Sequence, residues 1–417
     1  MTVVMSLRIL CGGVAGADVV KLQSTLAALG YNPGVIDGIF GGRTAAAVVQ
    51  FQKDNGLLPD EIVGPITWKY LQRIRLPKKD SEIKWKFTTT GSQRTIKDRA
   101  GRIVSVPRVI KRAFATSPMG SIILYSLCPY KMVGWNNVPR FTENRYILPQ
   151  CQSLPGLGGW YGRNTGNTEG ILQLHPDVLI GMGDVTPAKI SKADRIQQQL
   201  GIPVVLIDAP MAKMDEACEF MGALLGERTR AHELAEYCRN TIVDVSARAA
   251  RIPKEKRVKV YYAEGVKGLH TEPEGSRHIE VLSLVGGDNV AKLPLNEGVG
   301  MSPVSLRELL LWNPEVILAW GEGQGGYYQG ILTDPSWRGL RAVQQNRVYQ
   351  IPSAPFNWLD RPPSINRILG VKWLGNLLYP DVFNYNMVEE VREFFIKFYH
   401  CNLSGAEARV LLAQKKF

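Results

Sequence analysis

The sequence predicts an α/β protein in which a small three-helix N-terminal domain precedes two α/β lobes with parallel sheets, joined by a long backbone α-helix. Apolar residues recur at helical spacing in the first 74 residues. Farther along, amphipathic helices alternate with continuously apolar strands, as in parallel βα units. One long proline-free helical pattern separates two such series. The predicted divisions of the 417 residues are a first domain at 1–74, a basic linker at 75–95, an N-terminal lobe at 96–212, a backbone helix at 213–250 and a C-terminal lobe at 251–417.

The first domain contains three predicted helices. The first places Val19, Leu22 and Leu26 on one face, the second begins near Thr44, and the third begins near Pro65. The segments DVVKLQSTLAALGY, IDGIFG, AVVQFQKDNGLLPDEIVGPITWKYL and their spacing resemble the peptidoglycan-binding domain of bacterial cell-wall proteins. The resemblance implies a non-catalytic module that holds the chain on the wall. A helical dimerisation unit is the alternative interpretation.

The formal charge of +12 is concentrated in one segment. Residues 75–112 contain twelve basic and three acidic residues. Such a connector suits an anionic wall polymer or a membrane surface, and equally a solvated spacer. Aromatic residues are not interleaved with the basic ones as in a nucleic-acid module, so we expect no nucleic-acid partner.

The two lobes have recognisable elements. We predict a hairpin at 94–107, a strand before Pro118, a helix from Gly120, a short strand at 132–137, helix–strand pairs at 168–183 and 196–208, a backbone helix with a possible break near Gly226, a strand from Val258, a helix from His278, a helix–strand pair at 306–321 and a strand at 347–352. The segments ILQLHPDVLIGMG and LLLWNPEVILAWG repeat one pattern of helix, proline turn and buried strand.

Residues 93–415 resemble the substrate-binding proteins of iron-siderophore and cobalamin ABC importers. The similarity rests on RTIKDRAGRIVSVPRVIKRAFATSP, LPGLGGWYGRNTGNTEGILQLHPDVLIG, GSRHIEVLSLVGGDNVA and PVSLRELLLWNPEVILAWG. It implies two lobes on a rigid helical backbone and a permease that docks on one acidic residue of each lobe. Glu169 matches the first docking position, whereas Arg307 stands at the second and Glu308 follows it.

Ligands of parallel sheets bind beyond the carboxyl ends of strands. The segments that follow the predicted strands therefore supply the predicted ligand-binding residues, which are Ser117, Met119, Trp160, Tyr161, Arg163, Glu264, His270, Arg277, His278, Tyr327, Tyr328, Trp358 and Arg361. Asp184, Thr271, Glu322 and Phe356 lie in the same segments. A surface loop is the alternative for GLHTEPEGSRHIE, and core packing is the alternative for each aromatic residue.

Neither a metal site nor a catalytic centre is predicted. His270 and His278 are eight residues apart, outside the spacings of structural zinc sites, and no H-E-x-x-H motif occurs. No nucleophile–base pair is recognisable, so we do not expect an enzyme, and no cofactor is expected. The six cysteines show no C-x-x-C spacing, and Cys218 and Cys238 are expected to be free, buried thiols.

We predict that the protein is tethered to peptidoglycan, captures a metal chelate and delivers it to an ABC permease. Among metal chelates, a ferric siderophore is the first candidate. Aromatic walls with arginines suit such ligands. A corrinoid, haem, a nickel chelate or an oxyanion such as molybdate remain alternatives, as does a structural envelope protein without a transport role. We expect an extracytoplasmic location at the cell wall. The N-terminal apolar run is a weak match to a signal peptide, because it is short and interrupted by Arg8.

Overall fold

A computed structural model of the chain describes residues 10–29, 31–73, 88–161, 164–295 and 300–412. The chain divides into two compact units, residues 1–84 and residues 85–417. Each unit is described by itself.

The described part of the first unit forms three helices, as predicted. They are α1 (Ala17–Ala28), α2 (Gly42–Asp54) and α3 (Pro65–Arg73). Their apolar faces form one core that includes Val19, Leu22, Phe51 and Trp68. The core is small because the helices are short, so polar contacts in the connecting loops take a larger share in fixing the fold.

Two of those loops repeat one arrangement. The buried amide of Gln23 donates to the aspartate that begins loop 37–39, at 2.9 Å, and accepts the backbone N–H of the next residue, at 2.8 Å. Gln52 makes the same two contacts with loop 60–62, at 2.8 and 3.2 Å. The sequences DGIFGGRT and DEIVGPIT therefore form equivalent turns, each held by a glutamine of the preceding helix.

The N-terminal lobe begins with an antiparallel sheet of β1 (Thr88–Thr90), β2 (Gln93–Lys97) and β3 (Ile103–Pro107). The pairing of β2 with β3 confirms the predicted hairpin. A parallel sheet follows, in the order β4 (Ala113–Ala115), β5 (Val178–Gly183), β6 (Val204–Asp208). Its helices are α4 (Pro118–Leu127), α5 (Pro149–Gln152), α6 (Thr168–Gln173) and α7 (Pro187–Leu200). The predicted strand at 132–137 is wrong, since only isolated bridges form at Met132 and Trp135.

The backbone segment is two helices, α8 (Met214–Leu225) and α9 (Arg228–Ala249). The break falls at Gly226, whose φ of 81° ends α8 in the left-handed conformation that glycine adopts readily. A Cβ on Gly222 would lie 2.1 Å from the Cβ of Ala231, so a glycine there lets the two helices pack closely.

The C-terminal lobe contains a parallel sheet in the order β12, β11, β7, β9. Its strands and the small β8–β10 pair are β7 (Lys259–Ala263), β8 (His270–Thr271), β9 (Asp288–Asn289), β10 (Ser302–Pro303), β11 (Val316–Ala319) and β12 (Val348–Gln350). Its helices are α10 (Glu280–Leu284), α11 (Leu306–Trp312), α12 (Tyr328–Thr333), α13 (Arg341–Gln344), α14 (Arg367–Leu378), α15 (Pro380–Phe383), α16 (Met387–Tyr399) and α17 (Gly405–Leu412).

The proline turn that precedes a buried strand, at residues 176–178 in one lobe and 314–316 in the other, has the same geometry in both lobes. The carboxylates of Asp177 and Glu315 accept backbone N–H groups at the start of the neighbouring strands β4 and β7, at 2.9 and 3.1 Å. His175 and Asn313 precede each proline with φ near 43°. One local sequence therefore ends a helix and fixes the start of two strands in each lobe.

The two lobes share one hydrophobic core, which runs from β2 to α17. Helix α16 packs on α4, where the Tyr125 hydroxyl donates to the carbonyl of Tyr399 at 3.1 Å. The C-terminal helices thus return to the N-terminal lobe and tie the two lobes together. Among the described residues, no helix combines the length and apolarity needed to cross a membrane.

Candidate ligand-binding cleft

A cleft lies between the two lobes, at the carboxyl ends of their parallel strands. It contains a cavity of about 280 Å³ that both lobes line. The N-terminal lobe contributes Pro118, Ser121, Ile122, Trp135, Asn136, Asn137, Val138, Pro139, Arg140 and Glu143, and the C-terminal lobe contributes Gln324, Ser353, Pro355, Phe356, Asn357, Arg361 and Pro362. Four amide side chains and two arginines give the cavity polar groups, and four prolines, Ile122, Trp135, Val138 and Phe356 give it apolar surface.

The buried side chain of Asn136 organises the N-terminal wall. Its amide donates to the carbonyls of Ala115 and Gly158, at 2.9 and 2.6 Å, and its oxygen accepts the hydroxyl of Ser121 at 2.5 Å. These bonds join the end of β4, helix α4 and the loop before α6. A Cβ on Gly159 would lie 2.4 Å from the carbonyl oxygen of Thr116, so the loop can approach the strand this closely only with glycine there.

The N-terminal residues predicted to bind ligand are only partly accessible. Ser117 is half-buried and its hydroxyl donates to the carbonyl of Met182 at 2.9 Å, which joins two strand ends. Met119 lies in the core, 4% exposed, because it faces inward on the first turn of α4. Half-buried Trp160 and Tyr161 follow the loop that Asn136 holds, and the Tyr161 hydroxyl donates to Asn137 at 3.0 Å. Arg163 lies outside the described residues.

The C-terminal wall holds a cluster of charged side chains around Arg361. Its guanidinium pairs with Glu264, at 2.9 Å, and with Glu272, at 2.5 Å. Asp360 lies 3.4 Å from Arg361 and pairs at 2.5 Å with Nδ1 of His278. The side chains of all three carboxylates are fully buried, whereas Arg361 and His278 retain 27% and 28% exposure. Arg361 also lines the cavity, so the cluster meets the cleft through its guanidinium.

Burial raises the pKa of Glu264 to about 9, and the neighbouring carboxylate of Asp360 acts in the same direction. The guanidinium of Arg361 opposes this shift but does not cancel it. Glu264 therefore holds a proton at neutral pH. The Arg361 charge is already matched by Glu272 and Asp360, so this wall has no surplus positive charge for an anionic ligand.

Tyr328 and Trp358 were predicted on the cleft and lie instead in the core. Tyr328 is 4% exposed and Trp358 is fully buried, because each ring packs within a hydrophobic cluster of the core. Tyr327 is half-buried, packs near Trp337 and donates its hydroxyl to Asp334 at 3.2 Å. Core packing, the alternative interpretation for aromatic residues, describes these three rings.

Arg277 connects the lobes. Its guanidinium pairs with Asp184, which follows β5, and lies 3.7 Å from Asp208 at the end of β6. A second cross-lobe contact runs from Arg140 to the carbonyl of Gly323, at 2.9 Å. His270 is half-buried, and its backbone forms an antiparallel bridge with that of Glu264.

The predicted docking residues lie at the starts of equivalent helices. Glu169 is exposed in the first turn of α6, and Arg307 and Glu308 are exposed in the first turn of α11. The Glu308 carboxylate accepts the N–H and the hydroxyl of Ser305, both at 2.7 Å, and the backbone bond holds its pKa below the usual value. Glu308 therefore already serves as the cap of its own helix.

Several residues that line the cleft were not predicted from the sequence. Asn136, Asn137, Arg140, Glu143 and Gln324 have no motif and do not directly follow the strands that the sequence predicts correctly. One signal was present for Asn136, since polar residues after the predicted apolar segment MVGW are typical of a strand-end site. Beside the cleft, a second cavity of about 720 Å³ extends from Arg140 and Glu322 to helix α17.

Two α/β lobes on a helical backbone, with a polar cleft at their strand ends, define a solute-binding protein. Residues 138–355 match the model of the periplasmic binding protein family, and the chain belongs to that family. Residues 15–71 match the peptidoglycan binding domain model, which confirms the resemblance seen in the first domain. The protein is thus a substrate-binding protein of an ABC transporter that carries an N-terminal peptidoglycan-binding domain.

Similarities to individual proteins are consistent with membership of this family. The structure is similar to an ABC transporter solute binding protein from Sulfurospirillum deleyianum, with a TM-score of 0.71 and 32% identity over 76% of this chain and 98% of that one. The molybdate-binding protein MolA of Haemophilus influenzae is 25% identical over 74% of this chain and 91% of its own length. The vitamin B12-binding protein of Salmonella typhimurium is 26% identical over 55% of this chain and 78% of its own length.

Proposed function

We propose that the protein is a cell-wall-tethered receptor that captures a metal chelate in the cleft and delivers it to a membrane permease. The observation that carries the proposal is the 280 Å³ cavity that residues of both lobes line. It lies where ligands of parallel sheets bind, and its polar groups come from two bodies that one ligand would bridge.

The size of the cavity favours a compact ligand. Ligand pockets usually measure about 300–1,000 Å³, so this cavity lies at the lower end. By itself the cavity suits a small ferric siderophore or nickel chelate better than a haem or corrinoid macrocycle, whereas a ligand that also entered the adjoining 720 Å³ cavity, with which it shares Arg140, Glu143 and Ser353, could be larger. The amides supply hydrogen bonds, and the prolines, Val138 and the partly exposed Phe356 supply apolar contacts, for the organic shell of such a chelate.

An oxyanion such as molybdate is the second candidate. It is supported by the small cavity and by the relative that is named a molybdate-binding protein. The paired states of Arg140 and Arg361 argue against it, because each guanidinium is already matched by a carboxylate.

Titration of the full chain separates these candidates. Binding is measured by calorimetry and tryptophan fluorescence with ferric hydroxamate and catecholate chelates, a nickel–histidine chelate, haem, cyanocobalamin and molybdate. Variants Gln324→Ala and Asn137→Ala remove cavity groups, and Gln345→Ala, exposed at the end of α13, is the matched control. Tight binding of one compact chelate, weakened only by the two cavity variants, supports the proposal. Binding of molybdate alone selects the second candidate, and binding of none of these ligands contradicts both.

The wall tether is a separate part of the proposal. The first unit exposes several aliphatic side chains, namely Val35, Ile36, Ile39, Leu58, Ile62 and Ile66. An exposed apolar surface of this kind is typical of a binding face. Sedimentation with purified peptidoglycan should retain the full chain and lose both a chain without residues 1–74 and a Val35→Ser, Leu58→Ser variant. Unchanged retention of the shortened chain would contradict the tether.

A further inference from the structure

We infer that Glu272, His278 and Asp360 form a binding site for a divalent transition-metal ion in the C-terminal wall of the cleft. One ligand atom of each side chain lies within 4.8 Å of the others. Glu272 and Asp360 are fully buried, and the imidazole of His278 retains 28% exposure. This inference does not depend on the proposed chelate, because it concerns the free ion.

The distances are close to those of a formed site. Donor atoms about 2.0–2.2 Å from one metal ion are separated by no more than about 4.4 Å. Closing the trio from 4.8 Å needs a shift of about half an ångström, which the partly exposed imidazole of His278 can make by rotation.

The surroundings position these ligands. Glu272 accepts the hydroxyl of Ser276 at 2.7 Å and the backbone N–H of Met301 at 2.9 Å. Arg361 also donates to this carboxylate, at the oxygen that accepts the N–H of Met301. Hydrogen bonds of this kind orient the ligands in metal sites and raise affinity.

An independent observation indicates that the cluster requires a further positive partner. Oδ2 of Asp360, one of the three proposed ligands, is buried and has no hydrogen-bond partner among the described residues, and its ion pair with Arg361 is long, at 3.4 Å. With Glu264 protonated, the single guanidinium of Arg361 serves the two buried carboxylates of Glu272 and Asp360, and the other buried arginine nearby, Arg367, is held by Glu280 and by the carbonyl of Arg277. Unmatched buried carboxylates are unfavourable, and a cation relieves that cost.

The donor set selects the kind of ion. One imidazole nitrogen with two carboxylates suits zinc, nickel, ferrous iron or manganese, whereas calcium and magnesium prefer oxygen donors alone. We therefore expect Zn²⁺ and Ni²⁺ to bind more tightly than Ca²⁺ or Mg²⁺.

The test uses the full chain without a histidine tag. Equilibrium dialysis with Zn²⁺, Ni²⁺, Mn²⁺, Ca²⁺ and Mg²⁺, read by elemental mass spectrometry, gives stoichiometry and affinity. We expect one Zn²⁺ per chain, and His278→Gln and Asp360→Asn should weaken it at least about tenfold, the scale that loss of even an outer hydrogen bond produces. Glu274→Gln and His232→Gln change an exposed carboxylate and an exposed imidazole outside the site and should have no effect.

Three results would overturn the inference. They are no zinc binding above the level of the His278→Gln variant, equal loss in the His232→Gln control, and tighter binding of Ca²⁺ than of Zn²⁺. Circular dichroism and melting of the metal-free variants check the fold, and if Asp360→Asn does not fold, the partly exposed His278 decides alone. Chelate titration is independent, so failure of the chelate proposal with retained zinc binding, or the reverse, is distinguishable.

Discussion

Arg277 of the C-terminal lobe forms an ion pair with Asp184 of the N-terminal lobe. The pair joins the segment before α10 to the end of β5, so it spans the cleft. Arg277 is one of the predicted ligand-binding residues, and the structure gives its guanidinium two carboxylate neighbours, Asp184 and Asp208.

Breaking this pair should cost little stability. Both side chains are partly exposed, at 22% and 42%, so solvent screens their attraction. A double-mutant cycle with Arg277→Gln and Asp184→Asn is expected to give a coupling energy of about 0.5–1 kcal/mol that falls in 0.5 M salt. Urea unfolding of the four proteins measures it. A coupling that is independent of salt would contradict a screened surface pair.

Glu61→Gly should stabilise the first unit. Glu61 has a φ of 63°, and the equivalent position in the other repeat is Gly38, with a φ of 76°. A left-handed conformation is unfavourable for a residue with a Cβ and natural for glycine. We expect a gain of about 0.5–1 kcal/mol, since the added flexibility of the unfolded chain offsets part of the relief. Calorimetry of the full chain should show an upward shift of that unit's transition.

The reverse change provides the control. In Gly38→Ala the new Cβ would lie 2.9 Å from a methyl group of Val20 and would adopt the unfavourable φ. This variant should lower the same transition. If Glu61→Gly lowered the transition as Gly38→Ala does, the left-handed conformation of Glu61 would not be a source of strain.

His400 should make stability depend on pH. Burial lowers its pKa to about 4, with the positive charge of Arg230 acting in the same direction. Between this value and the ordinary value of about 6.5, the unfolded chain binds a proton that the folded chain does not. The free energy of unfolding should therefore fall by roughly 1–3 kcal/mol as the pH falls from 6.5 to 4.

His400→Asn tests this directly. His400 ends α16 with a φ of 54°, a conformation that asparagine tolerates. The variant should lose part of the decline in stability between pH 6.5 and 4 when unfolding is followed by urea titration at several pH values. An unchanged decline would show that other groups, such as the carboxylates, account for it.

Local patterns predicted the elements of this fold well. The hairpin of β2 and β3, the helix–strand pairs of both lobes and the helices of the first unit follow from periodicity and turn residues. The predicted strand at 132–137 failed because its apolar residues pack on neighbouring elements without forming a ladder. The return of α16 to α4 has no local signal, since it depends on contacts 274 residues apart, such as that of Tyr125 with Tyr399.

The candidate site was less predictable for the same reason. The sequence indicated the correct segments, and Arg361, His278 and Glu264 do lie together. The ion pairs within this cluster could not be predicted, because Asp360 and Glu272 are 88 residues apart and neither belongs to a recognisable motif. Tyr328 and Trp358 were predicted on the cleft and are buried, because nothing in a single sequence distinguishes a ring that packs in the core from one that faces a cleft.

Asn136 and Asn137 allow structural and ligand-binding roles to be separated, because both line the cavity and only Asn136 is buried. Asn136→Ala would leave the hydroxyl of Ser121 and the carbonyls of Ala115 and Gly158 without their partner. We expect a loss of about 2–4 kcal/mol, since each buried polar group left unpaired costs about 1–3 kcal/mol and some recover partners by relaxation. Asn137→Ala removes only an exposed contact with Tyr161 and should change stability by less than about 0.5 kcal/mol. Thermal unfolding of both variants measures the difference, and similar losses would mean that Asn136 does not organise the wall.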